Sequence, residues 1–245
     1  MTIDNKIDRF CSYFEHQSIV IGGLRSEPQD ASEIAPEDHQ IRFYQKVLLV
    51  TALDTLAGIR YSKEKYPCRS KRNRDRFIRF ISEYSSWPSG VLVSLPFLLD
   101  DLNRQNSRGN KLFSFIKGKL DQFSTNEGIL LRPEKIDERP DTLLAFARTE
   151  KEEESIWHYQ HYALMYRYRN FLVHESREPG YAMEGIRHTE PEAYYHGYLN
   201  TPKWHLAYPV GLFIRIFMNS LRNMKEYLIE DEIDPYSLVG DTTRW

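Results

Sequence analysis

Lys151–His174 reads KEEESIWHYQHYALMYRYRNFLVH, and its apolar pattern sets the fold class. Ile156, Tyr159, Ala163, Tyr166 and Val173 recur at spacings of three and four, and Tyr162, Met165, Arg169 and Leu172 form a second row beside them. Two adjacent rows make a broad apolar face, which a helix inside a bundle requires. The spacing predicts one long helix from about Lys151 to His174, stopped by Pro179 and Gly180.

Working outward, the same periodicity predicts further helices. Ile7–His16 is a short one, followed by a polar stretch with Gly22, Gly23, Pro28 and Pro36. Asp38 can cap a strong helix to about Arg60, with Ile41, Tyr44, Val47, Leu48 and Leu56 as its apolar positions. A helix over Asn73–Tyr84 follows, carrying Phe77, Ile78 and Ile81 and ended by Pro88. Val91–Leu95 suits a short extended piece. Pro96 fits the first turn of a helix to about Arg104. Leu112, Phe115, Ile116, Leu120 and Phe123 mark another helix, Ser124–Pro140 reads as loop, and Asp141–Thr149 as a short helix. Gly185–Ala207, with Tyr194-Tyr195-His196-Gly197-Tyr198 and Trp204-His205-Leu206, reads as a small hairpin or ordered loop. Pro209 opens a last helix to about Glu230, with Val210, Phe213, Ile214, Phe217, Leu221, Met224 and Leu228 on one side. The architecture this implies is all-α: an up-and-down helical bundle with a small irregular or β-hairpin insert before the last helix. No repeat or linker divides residues 1–245, so they read as one domain, with 1–37 as an N-terminal extension and 178–207 as the insert.

Composition narrows the class further. A 245-residue chain can bury a core without staples. Its 16 tyrosines and 13 phenylalanines need a packed interior or an interface. Cys11 and Cys68 form no motif, so a disulfide scaffold is not indicated. The polar Met1–Phe10 does not resemble a signal peptide, and the apolar runs Val47–Leu53 and Val91–Leu99 are too short to span a bilayer. A cytoplasmic protein with no membrane association is expected. The formal charge of −2 excludes polyanion binding by bulk charge. Locally, however, Arg60, Lys63, Lys65, Arg69, Lys71, Arg72, Arg74, Arg76 and Arg79 face only Glu64 and Asp75 in sequence. Such a stretch can attract phosphates, or it can be a solvated loop and helix face.

The chemistry-bearing string is Tyr166-Arg167-Tyr168-Arg169-Asn170-Phe171-Leu172-Val173-His174-Glu175. Asn170 and His174 are four apart and share a face. Arg169 and His174 are five apart, about 140° around an ideal helix. They can meet only if the arginine reaches around the helix or the pair converges across a dimer axis. Asn170 interrupts an apolar row, where an amide needs partners. A helix end on which His174 meets the dipole and Arg169 pairs with a carboxylate is the structural alternative. Glu154, His158 and His161 are spaced four and three apart as metal ligands can be. No second helix offers a matching Glu-x-x-His, so solvated or core-edge histidines are expected, with no metal and no cofactor. There is no Walker loop, G-x-G-x-x-G, G-x-S-x-G or zinc-type cysteine pair.

Arg169-Asn170-Phe171-Leu172-Val173-His174 resembles the R-x4–6-H motif of the HEPN superfamily, in the variant with a polar residue after the arginine. Leu53-Asp54-Thr55-Leu56-Ala57-Gly58-Ile59-Arg60 and Trp204-His205-Leu206-Ala207-Tyr208-Pro209-Val210-Gly211 are similar to an early helix and a late segment of bacterial HEPN-like proteins. The resemblance covers about residues 38–230. It implies a HEPN-like bundle acting as a homodimeric, metal-independent endoribonuclease, with RNA as substrate and an antitoxin or defence-complex protein as a possible partner in toxin–antitoxin or phage-defence systems. His174 would move a proton of the 2′-OH or of the 5′-oxygen, histidine being the side chain that exchanges protons near neutral pH. Arg169 would stabilise charge on the phosphate, Asn170 would orient either group, and the products would end in 2′,3′-cyclic phosphate and 5′-OH. Asp54 matches an acidic residue that some members carry on an early helix; a capping or ion-pairing carboxylate is the alternative. By position, Arg60, Lys63, Lys65, Arg69, Lys71 and Arg72 are expected to guide RNA to the cleft. A non-catalytic HEPN module binding RNA, nucleotide or protein is the second reading, and a purely structural helical protein the third.

Overall fold

The computed structural model describes residues 1–24, 36–62, 73–123, 130–179, 188–198 and 201–238. Lys63, Lys65, Arg69, Lys71, Arg72 and Cys68 lie outside the described residues. The described chain is mainly helical: α1 Ile3–Gly23, α2 Pro36–Arg60, α3 Asn73–Tyr84, α4 Leu95–Arg104, α5 Lys111–Leu120, α6 Pro133–Ile136, α7 Pro140–Leu144, α8 Glu150–His158, α9 His161–His174, α10 Val210–Glu230 and α11 Pro235–Leu238. Three short strands, β1 Leu130–Leu131, β2 Tyr194–Tyr198 and β3 Thr201–Ala207, make an antiparallel sheet in the order β1-β2-β3. No helix among the described residues is long and apolar enough to cross a membrane.

The bundle is built on α10. Val210, Phe213, Phe217, Leu221, Met224 and Leu228 are all buried, as their spacing predicts. This face packs against α2, α1 and α3. Helix α1 runs further at both ends than Ile7–His16. Thr2 caps it by accepting from the Asn5 N–H, and Ile7, Phe10, Cys11, Phe14 and Ile21 enter the core. The first residues therefore belong to the bundle.

Two expectations are corrected here. The apolar face of α2 is not the one containing Tyr44 and Leu48, which are 50% and 45% exposed. The buried side carries Lys46, Leu49, Val50, Leu53, Leu56 and Ala57. One face holds Leu49, Leu53 and Leu56 at i, i+4 and i+7, and it meets α10 and α9. The single helix over Lys151–His174 is in fact two. Tyr159 and Gln160 leave the helix, and Gln160 is extended at φ −60°, ψ 146°. The break is filled by the extended piece after the 3-10 turn Pro88–Val91. Ser94 N–H donates to the Tyr159 carbonyl, and His161 N–H donates to the Leu92 carbonyl. Two helix-end groups are satisfied there by tertiary contact. A third difference is smaller: Leu130–Leu131, read as loop, adds a strand to the expected hairpin, with Leu130 opposite His196. Gly90, in the 3-10 turn, permits the close approach of that turn to α9, because a Cβ there would fall 2.0 Å from the Tyr162 ring.

The break delivers His161 to a buried polar cluster. His161 and Asp137 are both fully buried. His161 Nε2 lies 2.7 Å from Asp137 Oδ2, and Nδ1 lies 2.7 Å from the Tyr208 hydroxyl. Asp137 also accepts from the Leu95 N–H (3.0 Å) and the Tyr195 hydroxyl (2.8 Å), and Tyr195 contacts Ser94 Oγ at 2.7 Å. One assignment satisfies every group: Ser94 donates to Tyr195, Tyr195 and His161 Nε2–H donate to Asp137, and Tyr208 donates to Nδ1. Burial pushes the Asp137 carboxyl above its usual range, against the pull of these donors. His161, weighed in the sequence against a metal-binding role, is engaged in joining three parts of the core.

Candidate active site

Helices α2, α3 and α9 pack on one another and carry the site. Helix α9 ends before Pro179. Ser176 adopts a left-handed φ of 51°, and the Arg177 N–H turns back to the Phe171 carbonyl. That ending leaves His174 exposed on the last turn, while Arg169 stays partly covered, its side chain 11% exposed.

Arg169 is the hub. Its Nη1 lies 2.8 Å from His174 Nε2 and donates to Asn170 Oδ1 at 3.1 Å; its Nη2 donates to Asp54 Oδ2 at 2.6 Å. The arginine thus reaches around the helix within a single chain. A guanidinium has no acceptor, so His174 Nε2 is the accepting nitrogen and the ring proton sits on Nδ1. The Nε2 lone pair is the one a base uses. All four residues singled out by motif and resemblance, Asp54, Arg169, Asn170 and His174, stand in one hydrogen-bonded cluster.

The structure adds Arg76 of α3, which the sequence showed only as one of nine cations. Its Nη2 is 3.9 Å from Asp54 Oδ1, and its guanidinium lies over Gly58, one turn beyond Asp54. Asp54 therefore stands between two guanidiniums. Asp54 Oδ1, Arg76 Nε and Arg169 Nε are buried without hydrogen-bond partners. Spare guanidinium donors beside an exposed imidazole suit an incoming phosphate, which offers acceptors only.

No family model matches the sequence, and no curated protein or solved structure is significantly similar to it. The chemistry of this site therefore rests on its geometry.

Arg60, expected to guide RNA, has a packing use. Its Nε donates to the Tyr84 hydroxyl, and its guanidinium lies 4.0 Å from the Tyr227 ring centroid and 4.8 Å from that of Tyr61. Stacking and one hydrogen bond tie it to the bundle.

Lys46 carries no motif or spacing that singles it out. It sits in α2 with no exposed surface, and its Nζ donates to the Tyr168 hydroxyl (3.0 Å) and to Glu178 Oε1 (2.9 Å), tying the segment after α9 to the core. Burial lowers its pKa from 10.5 to about 8, against the pull of Glu178. Between these values the unfolded chain binds a proton that the folded chain does not, so stability rises with pH across that window and is level below about 8. The stability of wild type minus that of Lys46→Met, which cancels other titrations, is expected to grow by up to about 3 kcal/mol from pH 8 to 10.5 in urea unfolding. A flat difference would show that Lys46 is not held charged at a cost.

Proposed function

We propose that this chain is a HEPN-type, metal-independent endoribonuclease working through Arg169 and His174. One observation carries the reading: a single guanidinium, fixed by a carboxylate from another helix, touches the exposed imidazole five residues away. RNA brings its own nucleophile in the 2′-OH. The 2′-oxygen bonds to phosphorus as the P–O5′ bond breaks. One proton leaves the 2′-OH and one joins the 5′-oxygen, and His174 carries one of these transfers. Arg169 turns from His174 to the phosphate as it binds, freeing Nε2 and neutralising charge that builds on the phosphate oxygens. Asp54 touches Arg169 rather than substrate, so it positions the guanidinium. Arg76 adds a second cation beside it.

A pair of chains supplies the second proton transfer if two His174 imidazoles face one phosphodiester. Tyr44, Leu48, Thr51 and Thr55 support that arrangement. They fall at i, i+4, i+7 and i+11 on the exposed side of α2, the helix that carries Asp54. The two exposed apolar side chains, Tyr44 and Leu48, flanked by threonines whose hydroxyls are bonded to their own helix, are suited to a second copy beside the site. Leu48→Glu is expected to weaken self-association about 30-fold, as loss of a roughly 2 kcal/mol anchor does, and to lower cleavage in parallel. Sedimentation checks this; a wild-type chain that is monomeric at micromolar concentration contradicts the shared cleft.

The reading is tested by incubating wild type, Arg169→Ala and His174→Ala with structured RNA in EDTA. Cleavage by wild type alone is the expected result. Cleavage that survives both substitutions sinks the site. RNA binding without cleavage by any form makes the chain a binding module instead.

A further inference from the structure

The face of α9 that bears His174 also borders a cleft. Arg167, Phe171 and His174 fall at i, i+4 and i+7 on one side of the helix. Beside the first two opens a cavity of about 330 Å³ between α4, α9 and β3, walled by Phe97, Tyr168, Phe171, Trp204 and Tyr208 with Arg167 in its lining. That volume is at the small end of ligand sites and matches a single flat ring system better than an extended ligand. Phe97, Phe171 and Trp204 offer ring surface to any base that leaves its strand, and the buried Tyr168 and Tyr208 back them. The polar groups are more selective. Arg167 is held over the Tyr159 ring, 5.4 Å from its centroid, yet its Nη1 is buried without a hydrogen-bond partner. At the rim Asp100 provides a carboxylate, half exposed and only 3.9 Å from Lys203.

We propose that this cleft is the base pocket of the same site and holds a guanine splayed from single-stranded RNA beside the cut phosphodiester. The inference rests on the ribonuclease reading for its place in the reaction, but its ligand chemistry stands on the cleft alone. Guanine presents two acceptors, O6 and N7, on one edge, which is the pattern a guanidinium fork reads, and N–H donors on another, which a carboxylate accepts. Adenine turns an amino group toward the arginine in place of O6 and leaves its donor unpaired. Phe171 and His174 are three residues apart, about 4.5 Å along the helix axis. A base against the first thus leaves its own phosphate within reach of the second.

The test uses non-cleavable 2′-deoxy dinucleotides, d(GpU), d(ApU) and d(UpU), titrated calorimetrically into the whole chain. Wild type is expected to bind d(GpU) about tenfold or more tightly than the other two. Arg167→Lys, which keeps the charge and loses the fork, is expected to bring the three within about twofold of one another. Trp204→Phe keeps the stacking surface and is expected to retain the preference, which guards against misreading a folding defect. In parallel, sequencing of RNA cut ends is expected to show guanine next to the cut for wild type and a flattened pattern for Arg167→Lys. Equal affinity for d(GpU) and d(ApU), or a preference that survives Arg167→Lys, overturns the pocket. Cut sites without guanine beside them overturn it too, while leaving the nuclease reading intact. Guanine-selective binding by a chain that never cuts RNA upholds the pocket and defeats the nuclease reading.

Discussion

His174→Ala is expected to lower the rate of RNA cleavage by about 10²–10⁴-fold, the range that general acid–base catalysis supplies. The loss should fall on kcat, because the imidazole is exposed at the end of α9 and holds no part of the fold together. Its one polar contact within the site is Arg169 Nη1. Arg169→Ala is expected to do at least as much damage, since it removes the cation and leaves Asp54 without its 2.6 Å partner. Asp54→Asn keeps the shape and removes the charge that fixes the guanidinium. It is expected to cost about 10–100-fold through misplacement, with KM little changed and partial rescue by Asp54→Glu. Single-turnover rates of wild type and the four variants, each measured well below its melting temperature, separate these roles. Equal rates for His174→Ala and wild type would remove the imidazole from the reaction.

Asp137→Ala is expected to destabilise the fold by about 3–5 kcal/mol, the cost of deleting one partner from a buried charged cluster. Three donors lose their acceptor at once: His161 Nε2–H, the Tyr195 hydroxyl and the Leu95 N–H. None can turn to water, since His161 and Asp137 have no exposed surface. The cluster joins the start of α4, the start of α9, strand β2 and Tyr208 just before α10, so its loss loosens the junction from which α9 projects toward His174. For a chain of this length the change corresponds to roughly 10 °C in melting temperature. Thermal unfolding of Asp137→Ala and Asp137→Asn measures it, the asparagine being less costly because it still accepts a hydrogen bond. A shift of a degree or two would mean that water enters and replaces the carboxylate.

Much of this architecture was legible in the residues. Helix α3 spans Asn73–Tyr84 as its periodicity and following proline require, and α10 starts after Pro209 with every expected apolar position but Ile214 fully buried. The candidate cluster was legible only through resemblance: Arg169, Asn170 and His174 by their motif string and Asp54 by its match on an early helix, while residue chemistry alone left a capped, ion-paired helix end open. What escaped has a common physical origin in tertiary contact. Nothing at Tyr159-Gln160 breaks a helix locally; neither is glycine or proline, and the break exists to pair with Leu92–Ser94. Tyr44 and Leu48 read as core because hydropathy cannot say which side of a helix has a neighbour. Nothing in the sequence marks Lys46, because a long side chain can bury its stem and find Tyr168 and Glu178 at the end only once the fold brings them there. Asp137 sat in a stretch that reads as loop, and its partners come from three distant elements. Arg76 was hidden among nine cations and is distinguished only by the gap that Gly58 leaves beside Asp54.

The most direct measurement is the chemistry of the cut ends. Wild-type protein in EDTA should leave a 2′,3′-cyclic phosphate on one fragment and a 5′-hydroxyl on the other, and a single 2′-deoxy nucleotide placed at a mapped cut should abolish that cut alone. Fragments ending in 3′-hydroxyl and 5′-phosphate, or a cut that persists at the deoxy position, would contradict 2′-OH attack at the Arg169–His174 site.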